Sequence, residues 1–141
     1  MKRKSFATLI KLQKNLVDEQ RQQLARLLDH LERIEGQIAQ LEILKAREQA
    51  AAQDLAARAT YGAFLKNMII KGQALEKDRQ MAALAVKIAQ DRLAVLFEDQ
   101  KRYETAEAQR LEEEAKEERR LETIELDEIG GVRHERQREG G

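Results

Sequence analysis

Few side chains in this sequence have the chemistry of a catalytic or metal site. Cysteine is absent, which excludes disulfides, thiolate ligands and cysteine nucleophiles. The two histidines, His30 and His134, lie far apart in the chain and are better explained as surface residues than as metal ligands. The consecutive acids at 112–114 would point in different directions on a helix and could not converge on one cation. No Gly-rich phosphate loop is present. We therefore expect no enzymatic activity and no cofactor.

The composition favours long helices instead. The 141 residues contain no proline and only 4% aromatic residues, while charged residues make up 37%. Proline is excluded from helix interiors because it cannot donate a backbone hydrogen bond. A long apolar stretch is also missing, so the sequence predicts a soluble protein with no membrane span, and the lack of cysteine fits a cytoplasmic one.

Apolar residues recur at alternating spacings of three and four, which is the coiled-coil period. Two frames follow this spacing and are out of step with each other around residues 60–64. The first frame comprises Phe6, Ile10, Gln13, Val17, Gln20, Leu24, Leu27, Leu31, Ile34, Ile38, Leu41, Lys45, Glu48, Ala52, Leu55 and Ala59. The second comprises Leu65, Met68, Gly72, Leu75, Arg79, Ala82, Val86, Ala89, Leu93, Leu96, Gln100 and Tyr103. The phase break beside Gly62 predicts a turn there.

The predicted fold is all-α: a long antiparallel coiled-coil hairpin with a C-terminal helical overhang. Helix 1 is predicted at about 3–56, the turn at about 57–62 and helix 2 at about 63–129. Residues 130–141 are predicted as a disordered tail, with Gly130 and Gly131 as the stop signal.

The rival interpretation is one continuous helix in a parallel dimer, and the distribution of charge argues against it. Residues 1–17 carry five basic residues and no acid, whereas residues 104–118 carry seven acids and two bases. Folding near residue 60 would place residue i opposite about 120 − i, and the basic arm beside the acidic arm. A parallel dimer would stack the basic arms on each other. This neutralisation, and the lack of interleaved aromatics, also argue against nucleic-acid binding.

Several stretches of the chain resemble the flagellar type III export proteins called FliJ. They are Thr8-Leu-Ile-Lys-Leu-Gln-Lys, Asp18-Glu-Gln-Arg, Arg47-Glu-Gln, Tyr61-Gly-Ala-Phe-Leu, Glu98-Asp-Gln-Lys-Arg-Tyr-Glu and Leu126-Asp-Glu-Ile. The likeness covers most of residues 5–130 in the same order. It implies a cytoplasmic protein at the base of the flagellum, acting in flagellum biogenesis, type III secretion and motility. Its implied role is a non-enzymatic stalk or adaptor that inserts into the hexameric export ATPase ring and contacts the export gate and escort chaperones.

The resemblance assigns two candidate contact surfaces. The end of the hairpin that contains both chain termini would contact the ATPase ring through Lys2, Arg3, Lys4, Lys11, Lys14, Arg119, Arg120, Leu121, Ile124 and Ile129. The turn end would meet the export gate through Tyr61, Phe64, Leu65 and Met68. Each assignment has a structural alternative. The basic residues could pair with the acidic arm, and the turn-end residues could simply close the hairpin core.

Two other functions remain open from sequence alone. A stalk of a virulence-type secretion system would have the same physical features. A generic dimeric coiled-coil spacer differs in oligomeric state, because the stalk interpretation predicts a monomeric hairpin when the protein is free.

Overall fold

The computed structural model describes residues 5–140, which form two long helices joined by a short connection. Helix α1 is Ala7–Ala51 and helix α2 is Leu55–Glu139. The predicted all-α two-helix fold is confirmed. The contacts divide the chain into two units, Leu16–Leu96 and the pairing of Met1–Asn15 with Phe97–Gly141.

In the unit Leu16–Leu96 the two helices run antiparallel along a narrow apolar seam. The Gln20 side-chain amide donates to the carbonyl oxygen of Ala89 at 3.3 Å, and a Cβ built on Gly72 would lie 3.4 Å from Leu41 Cδ2. Small side chains on α2 allow this close approach of the two helices. The buried residues of this unit are Val17, Ile34 and Leu41 on α1 and Ala82, Val86 and Ala89 on α2. All six belong to the two predicted frames.

The connection between the helices comprises residues 52–54, which is earlier than the predicted turn at 57–62. Asp54 caps α2, because its Oδ1 accepts the Ala57 N–H at 2.6 Å and its carbonyl accepts the Arg58 N–H at 2.9 Å. Gly62 instead lies inside α2 with helical backbone. Leu55, predicted in the seam, begins the new helix and is 84% exposed.

The earlier turn changes the register of the two helices. The predicted register placed Gln100 opposite Gln20, whereas Ala89 lies there. In the other unit the Phe6 backbone N–H contacts Glu107 rather than a residue near 114. The register therefore brings a smaller part of the acidic arm, residues 104–118, opposite the basic arm than was predicted.

Helix α2 also continues beyond its predicted end at residue 129. Gly130 and Gly131 have no positive φ angle and continue the helix instead of capping it. Glycine is a poor helix former but not an incompatible one. The last turn carries Arg136 and Arg138, whose positive charges interact favourably with the negative end of the helix dipole. Ion pairs one turn apart support the long helix α2, among them Arg102–Glu98 at 3.0 Å and Lys116–Glu112 at 3.4 Å.

Candidate functional site

A cluster of three charged side chains on α2 lies where the helix meets the beginning of α1. The Arg110 guanidinium contacts Glu107 with both Nε, at 3.1 Å to Oε2, and Nη2, at 2.6 Å to Oε1. Its Nη1 lies 2.7 Å from Glu114 Oε1. The Arg110 side chain is only 11% exposed and that of Glu107 is 16% exposed. This fork geometry fixes the Glu107 carboxylate in one orientation.

Glu107 uses the same carboxylate to satisfy the beginning of α1. Its Oε2 accepts the Phe6 backbone N–H at 2.8 Å and its Oε1 accepts the Ser5 hydroxyl at 3.3 Å. The Ser5 Oγ in turn accepts the Ala7 N–H at 3.0 Å. Because the first N–H groups of a helix lack intrahelical acceptors, this carboxylate on the other helix adds a second acceptor to the local one that Ser5 supplies. Glu107 thereby specifies which residues of the two helices face each other.

The hydrogen bonds lower the pKa of Glu107 to about 2, first through Arg110 and then through the Phe6 N–H. The folded state therefore favours the ionised carboxylate. This contribution to stability is fully present above the ordinary pKa of 4.5 and is lost as the pH falls toward 2.

We expect Glu107→Gln to lower the melting temperature at pH 7, because a neutral amide cannot pair with Arg110 as a carboxylate does. The difference from the wild type should shrink as the pH falls from 5 to 2, where the wild-type carboxylate itself becomes protonated. Circular-dichroism melts across this range measure both effects. Glu118→Gln, at an exposed position of the same helix, is the control. A Glu107→Gln deficit that stays constant over the whole range would contradict the role of the ionised carboxylate.

Sequence reasoning missed this cluster although a signal for it existed. The apolar residues of the second frame thin out after Tyr103. Continuing the same spacing gives Glu107, Arg110 and Glu114, all of them half-buried. These charged residues are the polar continuation of the seam.

The basic residues predicted to contact the ATPase ring fall into three groups according to where they lie in the chain. Lys2, Arg3 and Lys4 lie outside the described residues, so their contacts stay a prediction. Lys11 and Lys14 are exposed on α1. Arg119 and Arg120 are exposed on α2, where Arg119 Nε donates to the Ala115 carbonyl at 3.3 Å and Arg120 pairs with Glu117 at 2.5 Å.

The apolar residues predicted for the same contact lie on a part of α2 that is wholly exposed. Every residue of 115–140 is exposed. Leu121, Ile124 and Ile129 are 51%, 41% and 51% exposed, and Val132, which was not predicted, is 48% exposed. Leu121 and Ile124 are three residues apart, as are Ile129 and Val132, and eleven residues, or about three turns, separate Leu121 from Val132. We call these four residues the overhang stripe, because they share one face of the helix.

The residues predicted for the export gate are half-buried beside the connection between the helices. The rings of Tyr61 and Phe64 stack with their centroids 6.3 Å apart at an angle of 30°. Both line a shallow groove with residues of the end of α1, including Glu48 and Ala52. Leu65 and Met68 are half-buried as well. The four residues thus pack where the hairpin closes, and part of their surface stays accessible.

A second exposed apolar stripe lies in the unit Leu16–Leu96 and was not predicted. Met81, Leu84, Ile88 and Val95 are between 44% and 64% exposed and follow the heptad spacing on α2. Ile88 and Val95 line a groove together with Gln20 from α1. The signal for it is present in the sequence, because these four residues repeat with heptad spacing beside the frame that packs on α1.

Exposed apolar stripes and charge, rather than reactive groups, distinguish the surface of this chain. Between residues 5 and 140 no three His, Asp or Glu side chains are grouped so that they could hold a metal ion, and His30 and His134 are exposed. Over the same range neither helix is long and apolar enough to cross a membrane. Compared with known proteins, the chain matches no family model, no curated protein and no solved structure.

Proposed function

We propose that this protein is a non-enzymatic stalk or adaptor of the flagellar type III export apparatus. It binds the hexameric export ATPase ring through the end that contains the beginning of α1 and the exposed part of α2. It acts in the cytoplasm at the base of the flagellum and links the ring to the export gate and to escort chaperones. The proposal joins the sequence resemblance to the FliJ proteins with the surfaces described above.

The observation that carries the proposal is the overhang stripe. Four large apolar side chains on one face of a helix, with no cover from the rest of their unit, are typical of a surface that docks on a partner. Acidic residues separate and flank these apolar residues along the helix. An isolated exposed apolar residue would need no such explanation.

The gate contact is proposed for Tyr61, Phe64, Leu65 and Met68. Their packing beside the connection supports a structural role, and their half-exposed rings and side chains leave surface for a partner. Aromatic residues and methionine are enriched in protein interfaces. The same physical features would suit a stalk of a virulence-type secretion system.

The stripe of Met81, Leu84, Ile88 and Val95 favours a second candidate, a dimeric coiled-coil spacer. Heptad-spaced apolar residues on an exposed helix face are the pattern of a helix–helix seam. In that case two hairpins would associate side by side through α2.

Two measurements on the purified chain distinguish the candidates. The stalk predicts a free chain with the monomer mass of 16.3 kDa by light scattering. It also predicts co-sedimentation with the assembled export ATPase of the same organism and faster ATP hydrolysis by that ring, while the chain alone hydrolyses none. A free dimer that neither binds nor stimulates the ring would contradict the stalk and favour the spacer.

A further inference from the structure

The segment that carries the overhang stripe has a strongly one-sided charge. Residues 121–132 contain four acids, Glu122, Glu125, Asp127 and Glu128, and no lysine or arginine, although the whole chain balances 26 basic residues against 26 acidic ones. All twelve residues are exposed. Within the described part of the chain, none of the four carboxylates has a basic side chain within ion-pair distance. Their charge is therefore available to a partner.

Two of the acids lie on the same face as the apolar residues. Glu125 is four residues after Leu121, and Glu128 is four residues after Ile124 and four before Val132. Residues four apart lie one above the other on a helix. A partner that covers the overhang stripe must therefore also cover or border these two carboxylates. Burying them without a cationic group would cost more than the apolar contact contributes.

A second copy of the chain does not meet this requirement. In the antiparallel register that puts Leu121 on Val132 and Ile124 on Ile129, Glu125 falls beside Glu128 of the other copy. In a parallel register each acid falls beside itself. Both arrangements place like charges together, which destabilises the contact.

We propose that residues 121–132 dock on a protein surface that combines an apolar groove with lysine or arginine side chains along its rim. This inference rests on the proposed function and specifies its contact. The part of the ring that contacts the overhang stripe is then positively charged. The part that contacts Lys11 and Lys14 is expected to be negatively charged. This end of the chain thus presents positive charge through Lys11, Lys14, Arg119 and Arg120 and negative charge through residues 121–132, and this distribution orients the chain in the ring.

The test compares two variants of the full chain that lose the same charge. The first is Glu122→Gln, Glu125→Gln, Asp127→Asn and Glu128→Gln together. The control removes four exposed carboxylates of α1, as Glu19→Gln, Asp29→Asn, Glu32→Gln and Glu35→Gln together. Binding of each labelled chain to the export ATPase ring is titrated at salt concentrations from 50 to 300 mM. We expect roughly tenfold weaker binding for the first variant and a flatter salt dependence, with less than about a twofold change for the control.

A second probe makes the result independent of the ring. It is a helical peptide of leucine and lysine, compared with the same peptide carrying glutamate in place of lysine. We expect the wild-type chain to bind only the lysine peptide, and the first variant to lose that binding. If the wild type binds this peptide but not the ring, the stalk is wrong and the basic-partner inference holds. If the first variant binds both ring and peptide as the wild type does, the inference is wrong while the stalk remains.

Discussion

Replacing Leu41 with alanine is expected to lower the free energy of unfolding by about 2–5 kcal/mol. Leu41 is 7% exposed and faces Gly72, which has no side chain to fill the space that the substitution would leave. The seam is narrow, so few neighbouring groups can move into the cavity. Urea unfolding followed by circular dichroism measures the effect.

Ile43→Ala is the matched control, because Ile43 lies two residues away on the same helix and is 53% exposed. We expect it to change the free energy of unfolding by no more than about 0.5 kcal/mol. If the two variants lose equal stability, Ile43 is covered in solution, and a second chain on that face would be the simplest explanation.

The second large effect is expected in binding rather than in stability. Leu121, Ile124 and Ile129 are already exposed in the free chain, so replacing all three with alanine should barely change the melting temperature. Alanine is also the best helix former, which preserves the helix. Affinity for the export ATPase ring should fall by about 1–3 kcal/mol, which is about fivefold to 150-fold, because the apolar contact is lost.

Leu126→Ala provides the control for this triple variant. Leu126 is 68% exposed in the same segment, but it lies about 130° around the helix from the middle of the overhang stripe. It should leave ring binding unchanged. A triple variant that melts early and binds normally would mean that the overhang stripe stabilises the protein itself, as the seam of a dimer would.

The seam was predictable from sequence because it depends on a short repeat. Every residue of the second frame, from Leu65 to Tyr103, is buried or half-buried, including the polar Arg79 and Gln100. A spacing of three and four places residues on one helix face whatever the rest of the chain does. The fold class followed from that spacing and from the absence of proline.

The turn and everything that depends on it were not predictable in the same way. The phase break at Gly62 pointed to the wrong place, because glycine can continue a helix while Asp54 provides the cap that starts one. An error of a few residues in the turn shifts the pairing along both helices. The contact of Glu107 with Phe6 could not be found without the correct register, since it joins residues 101 positions apart.

The three-residue connection also has a consequence for how the chain folds. Leu41 and Gly72 are near each other in sequence, Gln20 and Ala89 are further apart, and Phe6 and Glu107 are the most distant of these pairs. Chain entropy opposes contact between remote residues, but the cost is small once the residues between them are ordered. Pairing that begins beside Asp54 can therefore advance one turn at a time, with each new contact closing only a short loop. The ion-paired carboxylate of Glu107 then forms its hydrogen bonds late. These bonds stabilise a register that the earlier contacts have already set, and they do not initiate the pairing.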